Sequence, residues 1–239
     1  MSVDINGFKY NITNEKDLIQ RVLMNKQQWN SEVVTLLEAL INSRLLTHFV
    51  NVGAHIGTVC IPISRLVEKV TAIEAYPPTF DELQKNIKLN GITNIECHNL
   101  AIGNADDTVY FMNDTLDRVK NNTGGMHVFT EADITANRRS AHMSDKRVSC
   151  RMRRFDDMPI GEFDILLVDI EGMEHEFLQG AKHSILKHKP LIIIEIWCDD
   201  KRKQESMDTT QKQMIDLIVG MGYKFFTTCG GDDFVFVPV

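Results

Sequence analysis

The sequence predicts an α/β protein of three layers, in which a mostly parallel sheet lies between two layers of helices and closes with a C-terminal antiparallel hairpin. Three observations support this prediction. A short β-branched strand is followed directly by a glycine turn and an apolar helix. A nearly continuous apolar run later in the chain indicates a strand covered on both faces. The last two strands are joined by a link too short for a crossover, so they must form a hairpin.

Length and composition fit one large globular domain. The chain has 239 residues, with 43% hydrophobic and 25% charged, close to the globular average. This composition excludes a disordered chain, a collagen-like repeat and a disulfide miniprotein. We expect a single domain over 1–239, comprising an N-terminal helical extension at 1–46, the sheet, and an irregular insertion or lid at 113–158.

Charge and cysteine content bear on partners and compartment. A formal net charge of −7 argues against a protein whose main task is binding nucleic-acid phosphates. The five cysteines are scattered and form no C-x-x-C pair, which is typical of a reducing compartment. Met1–Tyr10 lacks the apolar run of a signal peptide, and no apolar stretch approaches membrane-spanning length. We therefore expect a cytoplasmic protein without a membrane span, in an oligomeric state that the sequence leaves open.

Periodicity and turn residues define the elements of the first half. Apolar residues at helical spacing indicate helices, and short β-branched runs indicate strands. Thr79 and Glu82, after two prolines, form a predicted capping box. In chain order the predictions are a helix at 32–46, strands at 48–52 and 70–74 with a helix at 58–67 between them, a helix from Thr79 to Gly91, and strands at 95–100 and 108–112.

The second half repeats the alternation of strand and helix after the irregular insertion. The predictions are a strand at 163–170, a helix at 173–188, a strand at 191–197, a charged exposed stretch at 201–207, a helix ending before Gly222, and hairpin strands at 223–227 and 234–237. A mostly parallel sheet that closes with one antiparallel strand is typical of class I methyltransferases. NAD-binding Rossmann domains lack that hairpin.

The turn after the first sheet strand is a candidate ligand-binding turn. Gly53 and Gly57 allow the backbone to approach a ligand closely. Glu74 ends the second strand, where a carboxylate can accept hydrogen bonds from both hydroxyls of a ribose. Both NAD and S-adenosylmethionine would use such an acid.

The glycine spacing separates these two cofactors. A dinucleotide needs the middle glycine of G-x-G-x-x-G, which this turn lacks. S-adenosyl-L-methionine instead needs polar groups and backbone amides for its amino-acid end, and Asn51, Ala54 and His55 are the candidates to supply them. The alternative role for His55 is a helix cap.

Acidic residues follow two neighbouring buried strands. Asp169, Glu171 and Glu174 come at the end of one, and Glu195 ends the next. Glu174 is best explained as charge compensation at a helix N-terminus. For Asp169 and Glu195 we predict a proton-accepting pair or two ligands of Mg²⁺ or Mn²⁺, with Glu171 a further catalytic candidate. Asp169 is also a candidate contact of the cofactor.

Several motifs occur in order over residues 49–197. They are F-V-N-V-G-A-H-I-G, A-I-E-A-Y-P-P-T-F-D-E-L-Q-K-N, N-L-A-I-G, a glycine pair near Gly124, D-I-L-L-V-D-I-E-G-M-E with L-Q-G-A, and P-L-I-I-I-E-I. In these motifs the chain resembles the FkbM-type methyltransferases. The resemblance implies a Rossmann-like, S-adenosylmethionine-dependent O-methyltransferase with the cofactor over Gly53 and its ribose on Glu74, beside Ala75. It also implies adenine contacts at 99–102, which include Asn99 and Ala101. The family usually has an acid at the position of Asn51, an asparagine at that of His55 and a proline at that of Ala75.

The acceptor is the least defined part of the prediction. Between Arg138 and Arg154 the chain has seven Lys or Arg residues and one acid, which forms either a solvated loop or a surface for an anionic acceptor. His127 and His142 are candidate bases or ligands, or ordinary polar loop residues. We expect a sugar or glycan hydroxyl as acceptor. The alternatives are a small secondary metabolite, RNA, for which aromatic residues are sparse, and a non-catalytic nucleotide-binding module.

Overall fold

The structure is a computed structural model of the 239-residue chain and describes residues 1–44, 46–112, 122–135 and 147–239. The strands are β1 (Ser2–Ile5), β2 (Phe8–Asn11), β3 (His48–Val52), β4 (Lys69–Glu74), β5 (Ile95–Asn99), β6 (Ala101–Gly103), β7 (Asp107–Met112), β8 (Phe129–Thr130), β9 (Arg147–Arg154), β10 (Ile165–Val168), β11 (Leu191–Glu195), β12 (Tyr223–Cys229) and β13 (Asp233–Pro238). The α-helices are α1 (Leu18–Met24), α2 (Ser31–Ser43), α3 (Cys60–Ile63), α4 (Pro77–Leu89), α5 (Glu131–Thr135), α6 (Glu174–Gly180), α7 (Lys182–His188), α8 (Asp199–Gln204) and α9 (Gln211–Gly220).

The main sheet has seven strands in the order β12-β13-β11-β10-β3-β4-β5. Neighbours from β11 to β5 are parallel, whereas β13 runs antiparallel to both β11 and β12. The predicted α/β class, with a mostly parallel sheet and a C-terminal antiparallel hairpin, is confirmed. After β3, the strands β4 and β5 add to one side of the sheet, and β10 and β11 then add to the other side. The strand order therefore reverses between β3 and β10. Open α/β sheets bind ligands at such a switch point.

The central strands are buried because both faces of the sheet are covered. In β10, Ile165 and Leu167 pack into the core on one face, while Leu166 and Val168 pack into the core on the other. The alternation follows from the two-residue period of a strand. Their carboxyl ends are thereby held rigidly at one edge of the sheet.

The N-terminal extension is not wholly helical, which corrects the expectation for residues 1–46. Strands β1 and β2 form an antiparallel hairpin around Asn6 and Gly7, both with positive φ (52° and 83°). Asn-Gly is the preferred pair for a two-residue hairpin turn, and this signal was missed. The predicted helix at 32–46 is present as α2. Val3 and Ile5 join α1 and α2 in the same core as β3.

Two helix starts differ from the sequence prediction. The helix expected at 58–67 begins only at Cys60, since Pro62 has no N–H to donate to Thr58 O. After Ile63 the chain continues in turns such as that from Leu66 N to Ile63 O (2.9 Å). Helix α4 begins at Pro77, a favoured first position. Thr79 therefore lies buried inside the first turn, and the predicted capping box is wrong.

The insertion at 113–158 contains a long strand that the prediction of irregular structure missed. Strand β9 pairs antiparallel with β7 and parallel with β6 in a second, four-stranded sheet. The alternation of Val148, Cys150 and Met152 toward the core was the available signal. The remainder of the predicted lid, 113–121 and 136–146, with His142 and Arg138, lies outside the described residues.

The stretch at 201–207, predicted to be charged and exposed, begins inside a helix. Residues 199–204 form α8, and Arg202 is buried with its Nε donating to Thr209 O (2.6 Å). The helix predicted at 173–188 is divided at Ala181 into α6 and α7. Among the helices described, none combines the length and the apolar character needed to cross a membrane.

Candidate active site

A cavity opens at the carboxyl ends of β3, β4 and β10, beside the switch point of the sheet. The sequence-predicted residues that line it are Asn51, Gly53, Ala54, His55, Glu74, Ala75, Ala101, Asp169 and Glu171. Gly57 and Asn99 lie behind the lining. A Cβ at Gly57 would approach Ile61 Cδ1 to 2.7 Å, and Asn99 Nδ2 donates to the carbonyl oxygens of Glu74 (2.9 Å) and Ala75 (3.1 Å). Asn99 therefore holds the end of β4 in place.

Gly53 is where the turn after β3 touches the end of β10. Its φ is +86°, and a Cβ at this position would lie 1.7 Å from the carbonyl oxygen of Asp169. A side chain is thus excluded by both backbone conformation and space. The contact brings the cofactor-binding candidates of β3 within reach of the acids that follow β10.

The backbone amides of this turn are already engaged. Gly53 N and Ala54 N both donate to Ile73 O (2.9 Å each), and His55 N donates to Glu74 Oε2 (2.8 Å). In this structure the amides of Ala54 and His55, expected to serve a ligand, are bonded to β4 instead. The side chains of Asn51 and His55 remain as the polar groups that this turn offers.

Glu74 is the buried acid of the cavity. Its Oε2 accepts from His55 N and its Oε1 from Tyr76 N (both 2.8 Å). A carboxylate has about four lone-pair sites, so each oxygen can still accept a bond from a ligand hydroxyl. Burial raises the pKa of Glu74 to about 7, against the opposing effect of these amide bonds.

Two buried polar atoms of the turn have no hydrogen-bond partner within the described parts of the chain. They are Oδ1 of Asn51, whose side chain is 2% exposed, and Nδ1 of His55. The other ring nitrogen of His55, Nε2, lies 2.8 Å from Thr123 Oγ1. Leaving such atoms unsatisfied costs about 1–3 kcal/mol each, which a polar ligand would recover.

Acidic side chains converge beside this cavity, as the adjacent strand ends predicted. Asp169, Glu171 and Glu195 each offer an oxygen within 4.8 Å of the others; we call these three residues the carboxylate cluster. Burial is the main cause that raises the pKa of Asp169 and Glu195 to about 7 and that of Glu171 to about 9. The Asp169 charge adds to the shift in the other two.

Glu174 lies in the first turn of α6, as its predicted role at a helix N-terminus requires. Its Oε1 accepts from Ile170 N (3.2 Å) and Gly172 N (3.1 Å). The side chain therefore holds the loop between β10 and α6, and with it the two acids of that loop. Burial raises the pKa of Glu174 to about 7.

Two more residues lie near the cluster: Lys201, which the sequence did not single out, and His127, which it named as a candidate base or ligand. Lys201 Nζ lies 3.6 Å from the ring centre of Trp197, and its positive charge opposes the raised pKa of all three cluster acids. His127 Nδ1 lies 2.9 Å from Glu171 O, so a protonated Nδ1 donates to that carbonyl. The sequence signal available for Lys201 was its position four residues after Trp197. Trp197 itself is buried (2% exposed), so its ring is not available to stack on a sugar.

The arginines of β9 do not form an unpaired basic surface. Arg147 pairs with Glu131 (3.3 Å), while Arg151 and Arg153 both approach Asp106 (3.8 Å). A further pair joins Arg154 to Asp156 at 3.5 Å. The described part of the basic segment is thus largely neutralised by acids of neighbouring elements.

The strand order, the glycine turn and the cavity at the switch point define a Rossmann-like class I methyltransferase fold. A family model, Methyltransferase FkbM domain, matches residues 51–225. The chain belongs to the FkbM methyltransferase family.

Solved structures agree with this fold. The methyltransferase FkbM of Methylobacillus flagellatus KT is 18% identical with a TM-score of 0.53, over 80% of this chain and 43% of that one, so this chain spans less than half of that protein. Magnesium protoporphyrin IX methyltransferase (ChlM) of Synechocystis PCC 6803 with bound S-adenosylhomocysteine (SAH) is 12% identical with a TM-score of 0.52, over 93% and 88% of the two chains. A putative caffeoyl-CoA O-methyltransferase of Staphylococcus aureus is 13% identical with a TM-score of 0.51, over 96% and 93%. No curated protein matches the chain.

Proposed function

We propose that this protein is an S-adenosylmethionine-dependent O-methyltransferase that acts, as a single domain, on a hydroxyl of a sugar or glycan. The observation that carries the proposal is the adjacency of two features at one sheet edge. The cavity behind Gly53 contains a buried acid suited to a ribose, and the carboxylate cluster adjoins that cavity. One feature suits a nucleoside cofactor, and the other suits deprotonation of an acceptor.

The residues of the cavity fit the cofactor. Glu74 would accept hydrogen bonds from the two ribose hydroxyls, while the buried polar atoms of Asn51 and His55 suit the amino-acid end. The adenine would lie against the apolar part of the lining, which is formed by Tyr76, Leu100, Ala101, Ile102, Phe111 and Met126.

The carboxylate cluster would perform the acid–base part of the reaction. The bound cofactor supplies a methyl group activated on a sulfonium. Asp169, which lines the cavity, would accept the acceptor's hydroxyl proton, and Glu195 would share it. The pKa of these two carboxyls, near 7, is close to the ambient pH, and general-base catalysis is most effective when the two match. Such catalysis contributes about 10²–10⁴-fold to the rate.

A divalent cation also fits the same cluster, and it is the alternative to proton acceptance by Asp169 and Glu195. Mg²⁺ and Mn²⁺ prefer oxygen ligands, and Asp169 and Glu195 would hold the ion, with Glu171 able to provide a third oxygen. Among the residues that the structure describes, these acids outnumber the one lysine whose charge acts on them, Lys201. The ion would lower the pKa of a bound hydroxyl and orient a sugar diol.

Charge favours a neutral acceptor over the anionic one considered from sequence. A phosphate would meet the carboxylate cluster, and the described arginines of β9 that could attract it are paired with acids. Neighbouring hydroxyls of a sugar, in contrast, are good donors to carboxylates.

Binding and transfer assays test the proposal directly. By calorimetry we expect the protein to bind SAH and not NAD, because the turn lacks the glycine spacing for a pyrophosphate. With labelled S-adenosylmethionine, transfer to neutral sugars or glycans should exceed transfer to nucleotide sugars, small secondary metabolites and capped RNA. Binding of NAD without SAH would contradict the cofactor assignment, and transfer only to RNA or a secondary metabolite would contradict the acceptor class.

The raised carboxyl pKa values predict how stability depends on pH and metal. In metal-free buffer we expect Tm to fall as pH rises from about 4 through 7, since the folded chain binds protons on Asp169 and Glu195 more tightly than the unfolded chain. At about pH 8, Mg²⁺ or Mn²⁺ should raise Tm and turnover, and at about pH 5 the ion should have a much smaller effect.

The Glu195→Gln variant is the control for this measurement. Removal of one titrating acid should flatten the pH dependence of Tm and weaken the response to the ion. If EDTA dialysis leaves parent Tm and turnover unchanged at pH 8, and added Mg²⁺ or Mn²⁺ changes neither, the metal assignment is wrong.

A further inference from the structure

A chain of hydrogen bonds joins the N-terminal segment to the cavity. Asp17, the N-cap of α1, is completely buried, and its Oδ1 accepts from Gln20 N (3.0 Å). Its Oδ2 accepts from both Thr123 N (2.7 Å) and Thr123 Oγ1 (2.8 Å). The same hydroxyl oxygen lies 2.8 Å from His55 Nε2. Three distant parts of the sequence thus meet at one threonine.

The positions of the protons in this chain are constrained. The Asp17 carboxylate can only accept, so the single hydroxyl proton of Thr123 points to Asp17. The Thr123 oxygen must then accept from His55, which puts the ring proton on Nε2 and leaves a lone pair on Nδ1. Burial also lowers the pKa of His55 to about 4, so the ring is neutral.

The Nδ1 lone pair of His55 has no donor among the residues that the structure describes. His55 lines the cavity, and the amides at 53–55 are turned toward Ile73 and Glu74. The polar atom that His55 presents to the cavity is therefore a hydrogen-bond acceptor, Nδ1. An acceptor suits a ligand ammonium, whereas a ligand carboxylate would be repelled by the lone pair.

We propose that Asp17 and Thr123 are positioning residues, which fix the His55 tautomer so that Nδ1 accepts a hydrogen bond from the α-ammonium of the bound cofactor. The inference rests on the proposed function, because it assumes an S-adenosyl cofactor in this cavity. Asp17 lies in the N-terminal segment, ahead of residues 51–225 that the family model matches.

We call the hydrogen-bonded residues Asp17, Thr123 and His55 the relay. The packing around the relay supports this role of the N-terminal segment. Ile19 of α1, together with Trp29 and Asn30 ahead of α2, lines the same cavity. A Cβ at Gly124 would lie 2.6 Å from Ile19 Cδ1, so the turn that carries Thr123 packs closely on α1. The N-terminal segment is thus a wall of the cavity.

Two ligands separate the ammonium contact from the rest of the site. SAH has the amino-acid end, and 5′-methylthioadenosine has the same nucleoside without it. By calorimetry, Thr123→Val and His55→Phe should each weaken SAH binding by about 10–100-fold, the loss of a bond to a charged group. Affinity for methylthioadenosine should change less than about twofold. Thr123→Ser, which keeps the hydroxyl, should restore SAH binding.

Glu74→Gln serves as the contrasting variant, because it should weaken binding of both ligands. If Thr123→Val binds SAH as tightly as the parent, or loses both ligands equally, the relay is wrong. If the parent binds neither ligand, the proposed function fails instead, and the two failures are distinguishable.

The tautomer itself can be measured in the absence of a ligand. Long-range ¹⁵N–¹H correlation spectra of the histidine-labelled parent should show the Nε2–H form for His55. Asp17→Asn and Thr123→Val should give a mixture of both forms. An Nδ1–H form in the parent would overturn the proposal, whatever the binding data show.

Discussion

The Asp169→Asn variant is expected to transfer methyl groups about 10²–10⁴ times more slowly than the parent while binding SAH with nearly unchanged affinity. Asparagine preserves the shape of the side chain and leaves the Asp169 carbonyl in contact with Gly53. It cannot accept the proton of an acceptor hydroxyl, and it is a weaker ligand for a divalent ion. Steady-state turnover with calorimetry of SAH binding measures both effects.

Thermal stability distinguishes this chemical role from a structural one. The Asp169 charge raises the pKa of Glu171 and Glu195, so its removal should relieve repulsion and leave Tm equal or higher. Asp216→Asn is the matched control, since Asp216 is exposed on α9 and pairs with Lys212 at the surface. Loss of turnover in parallel with loss of folded protein would refute the catalytic assignment, as would a fully active Asp169→Asn enzyme.

Gly53→Ala should destabilise the fold by roughly 2–6 kcal/mol and abolish cofactor binding in whatever fraction remains folded. The estimate adds the strain of a left-handed alanine to the cost of overpacking, each about 1–3 kcal/mol. Its Cβ would lie 1.7 Å from Asp169 O, and β10 cannot retreat without disturbing the bond from Asp169 N to Val52 O (3.0 Å). Urea unfolding and SAH calorimetry provide the two measurements.

Gly91→Ala isolates the contribution of the clash. Gly91 also has a positive φ (+65°), but a Cβ there meets no atom of the described chain within 4 Å. It should therefore cost only the backbone strain, about 1–2 kcal/mol. Equal losses of stability in the two variants would mean that Gly53 and the Asp169 carbonyl are not in tight contact.

Local sequence patterns were sufficient for most of the sheet. Strand 48–52 was predicted with its observed bounds, because β-branched residues run directly into a glycine turn. The short link before Phe234 required the antiparallel hairpin. The proximity of Asp169 and Glu195 was also predictable, since the ends of adjacent parallel strands meet at one edge.

The errors arose where a pattern was short or mixed with charge. The two strands around Asn6-Gly7 have four residues each, and the apolar residues of β9 alternate with arginines that resembled a solvated loop. Helix α8 was missed because its charged residues gave no apolar periodicity. Within it, Lys201 and Arg202 face inward toward partners that only the folded chain provides.

The sequence by itself determined the strands of the main sheet along the chain, the glycine turn and the sheet edge at which the acids emerge, because these depend on local periodicity and on the lengths of connections. Only the tertiary structure decided which polar atoms the cavity presents. The amides at Ala54 and His55 are taken up by β4, while Asp17 and Thr123, 106 positions apart, together set the histidine. Such partners are selected by packing between distant segments, and no spacing within one segment encodes them.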